Sequence, residues 1–90
     1  MWYLYIVRCR DGSLYTGIAT DVARRLALHT AGKGAKYLRG RGPLTLVYQT
    51  RIGSRALALK TEGRVKALPK MKKEQLVAER LPIATLLPDT

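Results

Sequence analysis

Trp2-Tyr3-Leu4-Tyr5-Ile6-Val7-Arg8 is rich in aromatic and β-branched residues, and Ser13-Leu14-Tyr15-Thr16-Gly17-Ile18 follows it after the turn signal Asp11-Gly12. The two segments read as a β-hairpin on which the rest of the chain has to pack. Thr20 or Asp21 is placed to cap a helix running to Thr30, with Val22 and Leu26 on its buried stripe and Gly32 as its stop signal. Gly32 to Pro43 holds four glycines, two lysines and two arginines, the composition of a mobile basic loop. Leu44 to Arg51 has the β-branched and aromatic content of a third strand. Ser54 then caps a second helix in which Leu57, Thr61, Val65 and Leu68 share one face, and Pro69 helps to end it. Within that helix Gly63 reads as a point of close approach by another backbone or a ligand. A third helix is expected from Met71 to Glu79. The order β-β-α-β-α-α predicts an α+β fold, a small three-stranded antiparallel sheet flanked by helices. The expected organisation is a single domain over residues 1–80 and a Leu/Pro-rich C-terminal tail over residues 81–90.

Ninety residues make one domain at most, and such a chain buries only about 60 to 65% of its unfolded surface. The single cysteine, Cys9, permits neither an intramolecular disulfide nor a cysteine-based zinc cage, which fits a reducing compartment. No apolar run has the length of a membrane span, and Trp2 to Val7 lacks the preceding basic region of a signal peptide. A soluble, cytoplasmic protein is the expectation.

Charge is more informative than size. Lysine and arginine number 17 against 6 acidic residues, and Glu62 is the only acid between Arg24 and Lys73. Such a field attracts polyanions, and each phosphate neutralised releases counterions. Nucleic acid is therefore the expected partner; DNA is expected ahead of RNA, a choice that charge itself does not make. A membrane surface is not, because no basic amphipathic helix carries the aromatic, leucine-rich face that interfacial binding requires. The plain alternative is charge that serves solubility alone.

Arg25 and His29 lie four residues apart, so a helix presents them on one face beside the phenols of Tyr5 and Tyr15. Donors, a fixed cation and an imidazole in one place are the groups that phosphodiester chemistry asks for. Arg25 can donate two parallel hydrogen bonds to a phosphate, or else pair weakly with Asp21 one turn away. His29 can orient or shuttle protons near neutrality, or be an ordinary surface histidine. The tyrosines can serve the site or simply pack the sheet. Glu62 borders the apolar face of its helix; it can hold a magnesium or manganese ion with waters and substrate phosphate, or form an i,i+4 pair with Lys66. Tyr37 can stack on a base with Lys36 and Arg39 on the flanking phosphates, or pack. The remaining binding candidates are Lys33, Arg41, Lys60, Arg64, Lys66, Lys70, Lys72 and Lys73. Zinc catalysis fails for want of ligands, and Gly32-Lys33-Gly34 is not a P-loop.

From Trp2 to Lys73 the chain resembles the GIY-YIG nuclease family. The first family tripeptide falls on Tyr3-Leu4-Tyr5, the second on Tyr15-Thr16-Gly17, the helical arginine on Arg25, the frequent histidine on His29 and the metal-binding glutamate on Glu62. Leu14-Tyr15-Thr16-Gly17-Ile18, Asp21-Val22-Ala23-Arg24-Arg25 and Gly32-Lys33-Gly34-Ala35-Lys36 are similar to stretches of its small stand-alone members. Tyr3 replaces the first glycine, Thr16 replaces the central isoleucine, and Ile18 stands where some members use a lysine. The resemblance implies a divalent-metal-dependent endonuclease with catalytic residues Tyr5, Tyr15, Arg25, His29 and Glu62. In it one Mg2+ or Mn2+ ion sits on Glu62, Tyr15 is the base or water-positioning group, Tyr5 orients, and Gly17 lets the backbone approach. Ninety residues leave no room for an added recognition domain, so specificity is expected to come from a protein partner or from the shape of the nucleic acid.

Overall fold

Alternation along the first strand sends its side chains to two different cores. In the computed structural model, which describes residues 1–83, β1 (Trp2–Arg8) is the central strand of a three-stranded antiparallel sheet in the order β2-β1-β3. β2 (Leu14–Ala19) pairs with it so that Tyr5 faces Gly17 and Val7 faces Tyr15. β3 (Thr45–Gly53) pairs along the other edge, with irregularities between Trp2 and Tyr3 and between Ile6 and Val7. A central strand covered on both faces is uniformly apolar, and Leu4 to Val7 are all buried.

On one face Tyr5, Val7 and Ala19 pack with Val22 and Leu38. On the other Leu4, Ile6 and Tyr48 pack with Val65 and Leu76. The first face is covered by α1 (Val22–Thr30) and a short 3-10 helix (Lys36–Leu38), the second by α2 (Arg55–Ala67) and α3 (Lys70–Glu79). Asp21 caps α1 by accepting from the Arg24 amide at 3.0 Å, and Ser54 caps α2 by accepting from the Leu57 amide at 3.2 Å. Gly32, at φ 77°, turns the chain out of α1 where a side chain would be strained. The bidentate pair of Arg8 with Glu74, at 2.9 and 2.7 Å, ties β1 to α3.

Four expectations need correction. Leu57 is not on the buried face of α2: it is 50% exposed, and Ala58, at 0%, takes that place with Thr61 and Val65. The helix begins at Arg55, and Thr61 and Val65 keep their expected place on the buried face while Leu57 falls outside it. The basic segment after α1 is not featureless, since it contains the 3-10 helix and buries Leu38. Gly63 meets no close neighbour; a Cβ there would stand in open space. Asp21 spends its carboxylate on the helix cap, and among the described residues no ion pair joins it to Arg25. In the tail, Leu81 and Ile83 pack on the second core and the Leu81 carbonyl accepts from the Tyr48 hydroxyl at 2.8 Å. The rest of that tail lies outside the described residues. No described helix is long and apolar enough to cross a membrane.

Candidate active site

Gly17 sits opposite Tyr5 in the β1–β2 ladder, and its missing side chain is what admits the phenol: a Cβ there would be 2.5 Å from Tyr5 Oη. The Tyr5 hydroxyl in turn lies 2.7 Å from His29 Nε2, a buried contact between the sheet and the end of α1. The other imidazole nitrogen, Nδ1, accepts the Ala35 amide at 3.0 Å. An amide can only donate, so Nδ1 carries no proton, and the neutral ring holds its hydrogen on Nε2. His29 therefore donates to Tyr5 Oη, and the Tyr5 proton is left for an acceptor in the adjoining cleft. Burial and the nearby Arg25 both lower the His29 pKa below the ordinary imidazole value. Burial, with Tyr15 adding to it, pushes the Tyr5 phenol far above its ordinary range. At neutral pH this pair is a fixed donor chain that holds a neutral phenol.

Tyr15, on β2, stands beside the same imidazole, ring centres 5.8 Å apart and edge-on at 72°. Tyr37 stacks on it from the basic segment at 5.9 Å and 21°. The Arg41 guanidinium lies 4.2 Å over the Tyr37 ring, donates to the Tyr37 carbonyl at 2.7 Å and reaches Asp11 at 3.1 Å. Tyr37 is thus engaged with Tyr15 and Arg41. The Tyr15 hydroxyl makes no hydrogen bond among the described residues.

Tyr5, Tyr15, Gly17 and His29 border an open cleft of about 390 Å³. It straddles the edge strand β2: Tyr15 and Gly17 line it from one face of the sheet and Ile18 from the other, α1 adds Arg25 and His29, and α2 brings Glu62 round the edge. Tyr5, Tyr15, Arg25, His29 and Glu62 all face this space, and Lys33 lies at it too. Lys36 and Arg39 are exposed beside the cleft segment, Arg41 is tied down, Lys60 and Lys66 are exposed on α2 where Arg64 is half-buried, and Lys70, Lys72 and Lys73 ride on α3. Cys9 is buried in the first core, and both nitrogens of His29 are engaged, by Tyr5 and by Ala35.

The Glu62 carboxylate is mostly shielded, with 18% of its side chain exposed, and its ion pair is a long 3.5 Å contact to Lys66. No three of His, Cys, Asp and Glu cluster among the described residues, so a cage of protein ligands is not formed there. A single carboxylate on the wall of a cleft open to waters and phosphate does suit a magnesium-type ion, which retains much of its water. Glu62 would be its protein ligand.

The sequence reading places Gly34 and Ala35 only within a family-like stretch and gives them no role at the site. A Cβ on Gly34 would overlap the His29 ring, and Gly34 has no positive φ, so the glycine serves room rather than backbone freedom. The available signal was the second glycine of Gly32-Lys33-Gly34, which composition alone registers as flexibility.

The GIY-YIG catalytic domain matches residues 1–75 of the chain. A UPF0213 protein of Cronobacter sakazakii is 61% identical over 80 residues, covering 89% of this chain and 84% of its own. The UPF0213 protein YhbQ of Salmonella typhimurium is 56% identical over 86 residues, covering 96% and 86%. The solution NMR structure of a UPF0213 protein from Bacillus halodurans, 53% identical, superposes with a TM-score of 0.56 over 87% of this chain and 84% of that one.

Proposed function

The chain belongs to the GIY-YIG family, and from that membership we propose that it is an endonuclease hydrolysing phosphodiester bonds in nucleic acid, DNA in preference to RNA, with one Mg2+ or Mn2+ ion. The observation that carries the reading is the convergence of Tyr5, Tyr15, Arg25, His29 and Glu62, from four separate elements, on one cleft. Five residues of four types suited to phosphoryl chemistry meet there in a strongly basic chain. That coincidence has no counterpart in a solubility account of the charge.

In this reading Arg25 donates to the scissile phosphate and stabilises charge that grows in the transition state. Tyr15, whose hydroxyl is uncommitted, positions or deprotonates the attacking water, while Tyr5 donates its proton to a water or phosphate oxygen from a position held by His29. Glu62 would hold the ion, which when bound would supply positive charge to the reacting phosphate. Lys33, Lys36, Tyr37, Arg39 and Arg41, with Lys60, Arg64, Lys66, Lys70, Lys72 and Lys73, bind the polyanion. A cytoplasmic location, and a protein partner that supplies substrate choice, belong to the same reading.

The test is incubation with single-stranded, duplex, flapped and branched DNA and RNA, with and without Mg2+ or Mn2+. Nicking that requires the ion and disappears in Glu62→Ala, with binding retained, is expected. A folded wild-type protein that binds these substrates but cuts none would instead be a non-catalytic nucleic-acid-binding module.

A further inference from the structure

Lys66 follows Glu62 by one turn of α2, and its ammonium bridges two parts of the cleft. It lies 3.5 Å from a Glu62 carboxylate oxygen and 5.9 Å from the centre of the Tyr15 ring. These are the groups assigned above to the metal and to the water. Lys66 is not needed to hold the helix, because 52% of its side chain is exposed and such an i,i+4 pair contributes little. Its stem is flexible and ends in a point charge, which can be moved without repacking a core.

Two cations cannot share one carboxylate without strong repulsion. An ion arriving at Glu62 therefore drives the ammonium off. The nearest electron-rich destinations are the face of Tyr15 and a phosphate bound beside it. Ile18, the next residue along the cleft wall, has no charge to offer there.

We infer that Lys66 is a place-holder for the metal: it occupies Glu62 until a divalent ion displaces it, then carries its charge to the phosphate beside Tyr15 as a further catalytic residue. This rests on the nuclease reading above and names a residue that reading counts only as a polyanion contact.

The experiment titrates Mn2+ into nucleic-acid-free protein, following free Mn2+ by electron paramagnetic resonance, and measures cleavage of the best substrate at saturating Mn2+. Lys66→Met should bind Mn2+ about twofold more tightly, the factor corresponding to an exposed helical pair. That gain should vanish in about 1 M salt, where the screening length is about 3 Å. Cleavage should fall by about tenfold or more, and Lys66→Arg should restore most of it. Arg51→Met removes a charge outside the cleft and should alter neither quantity. Circular dichroism melts confirm that each variant is folded. Mn2+ binding by Lys66→Met that is unchanged or weaker overturns the inference, as does cleavage equal to wild type. A wild type that binds Mn2+ yet cleaves nothing overturns the nuclease reading and the catalytic half of this one. A wild type that cleaves while Lys66→Met matches it overturns this one alone.

Discussion

His29 is the single histidine of the chain, so the pH dependence of stability near neutrality can be traced to one ring. Its folded pKa lies below the ordinary 6.5, so below that value the unfolded chain binds a proton that the folded chain resists. Stability is then complete above about pH 6.5 and falls as the pH drops through the folded value. Melting temperatures of wild type should decline across this window, and His29→Gln should lack that segment of the curve. Removing a hydroxyl should separate the two tyrosines. Tyr5→Phe leaves the buried Nε2–H of His29 without its acceptor, at a cost of about 1 to 3 kcal/mol. Tyr15→Phe removes no hydrogen bond seen here, so its melting temperature should stay near wild type while metal-dependent cleavage falls about 10² to 10⁴-fold. Wild-type turnover in folded Tyr15→Phe would take Tyr15 out of the mechanism.

At the scale of elements, the segment joining α1 to β3 binds and builds at once. It supplies Lys33 at the cleft, the Ala35 amide on His29, the Tyr37 ring on Tyr15 and Leu38 in the core. Gly34→Ala puts a methyl where the imidazole stands, and overpacking of that kind costs about 1 to 3 kcal/mol. Cleavage by Gly34→Ala should drop along with stability, whereas Gly63→Ala on α2, facing open space, should keep activity and gain up to about 1 kcal/mol. Denaturant melts and turnover on the same two variants check the contrast. The face of α2 offers a second comparison. Leu57→Gln should change stability by no more than about 0.5 kcal/mol, and Ala58→Leu should lose about 1 to 3 kcal/mol.

Over the whole molecule, a net charge of +11 makes affinity for nucleic acid a matter of salt. Binding to duplex DNA should be largely indifferent to sequence and weaken as salt rises, with a log–log slope of about −0.9 per phosphate contact. Neutralising Lys33, Lys36 or Arg39 should each flatten the slope by about one contact's worth. Arg41 should behave differently, because Asp11 and the Tyr37 ring already engage its guanidinium. Arg41→Gln should shift the slope less and cleavage more, through the support it withdraws from Tyr37 and Tyr15. Filter-binding or fluorescence titrations over a range of salt read the first quantity, and turnover the second.

Periodicity and caps carried the elements a long way. The β-rich composition of Trp2 to Arg8, the Asp11-Gly12 turn, the Asp21 and Ser54 caps and the Gly32 stop are local signals, and each is realised within a residue or two. The resemblance of Tyr3-Leu4-Tyr5 and Tyr15-Thr16-Gly17 to a family pattern carried the candidate site, since it joined residues that no local rule connects. What only the tertiary structure decided are relations across elements. Which side of α2 meets the sheet depends on where the helix docks, and there small Ala58 lies inside and large Leu57 outside. The state of His29 depends on an amide six residues away and a phenol on the central strand, which together leave one nitrogen for the proton. The room that Gly17 and Gly34 leave for those rings is likewise invisible in composition, because a glycine kept for space and one kept for its backbone look alike until the neighbouring side chains are in place.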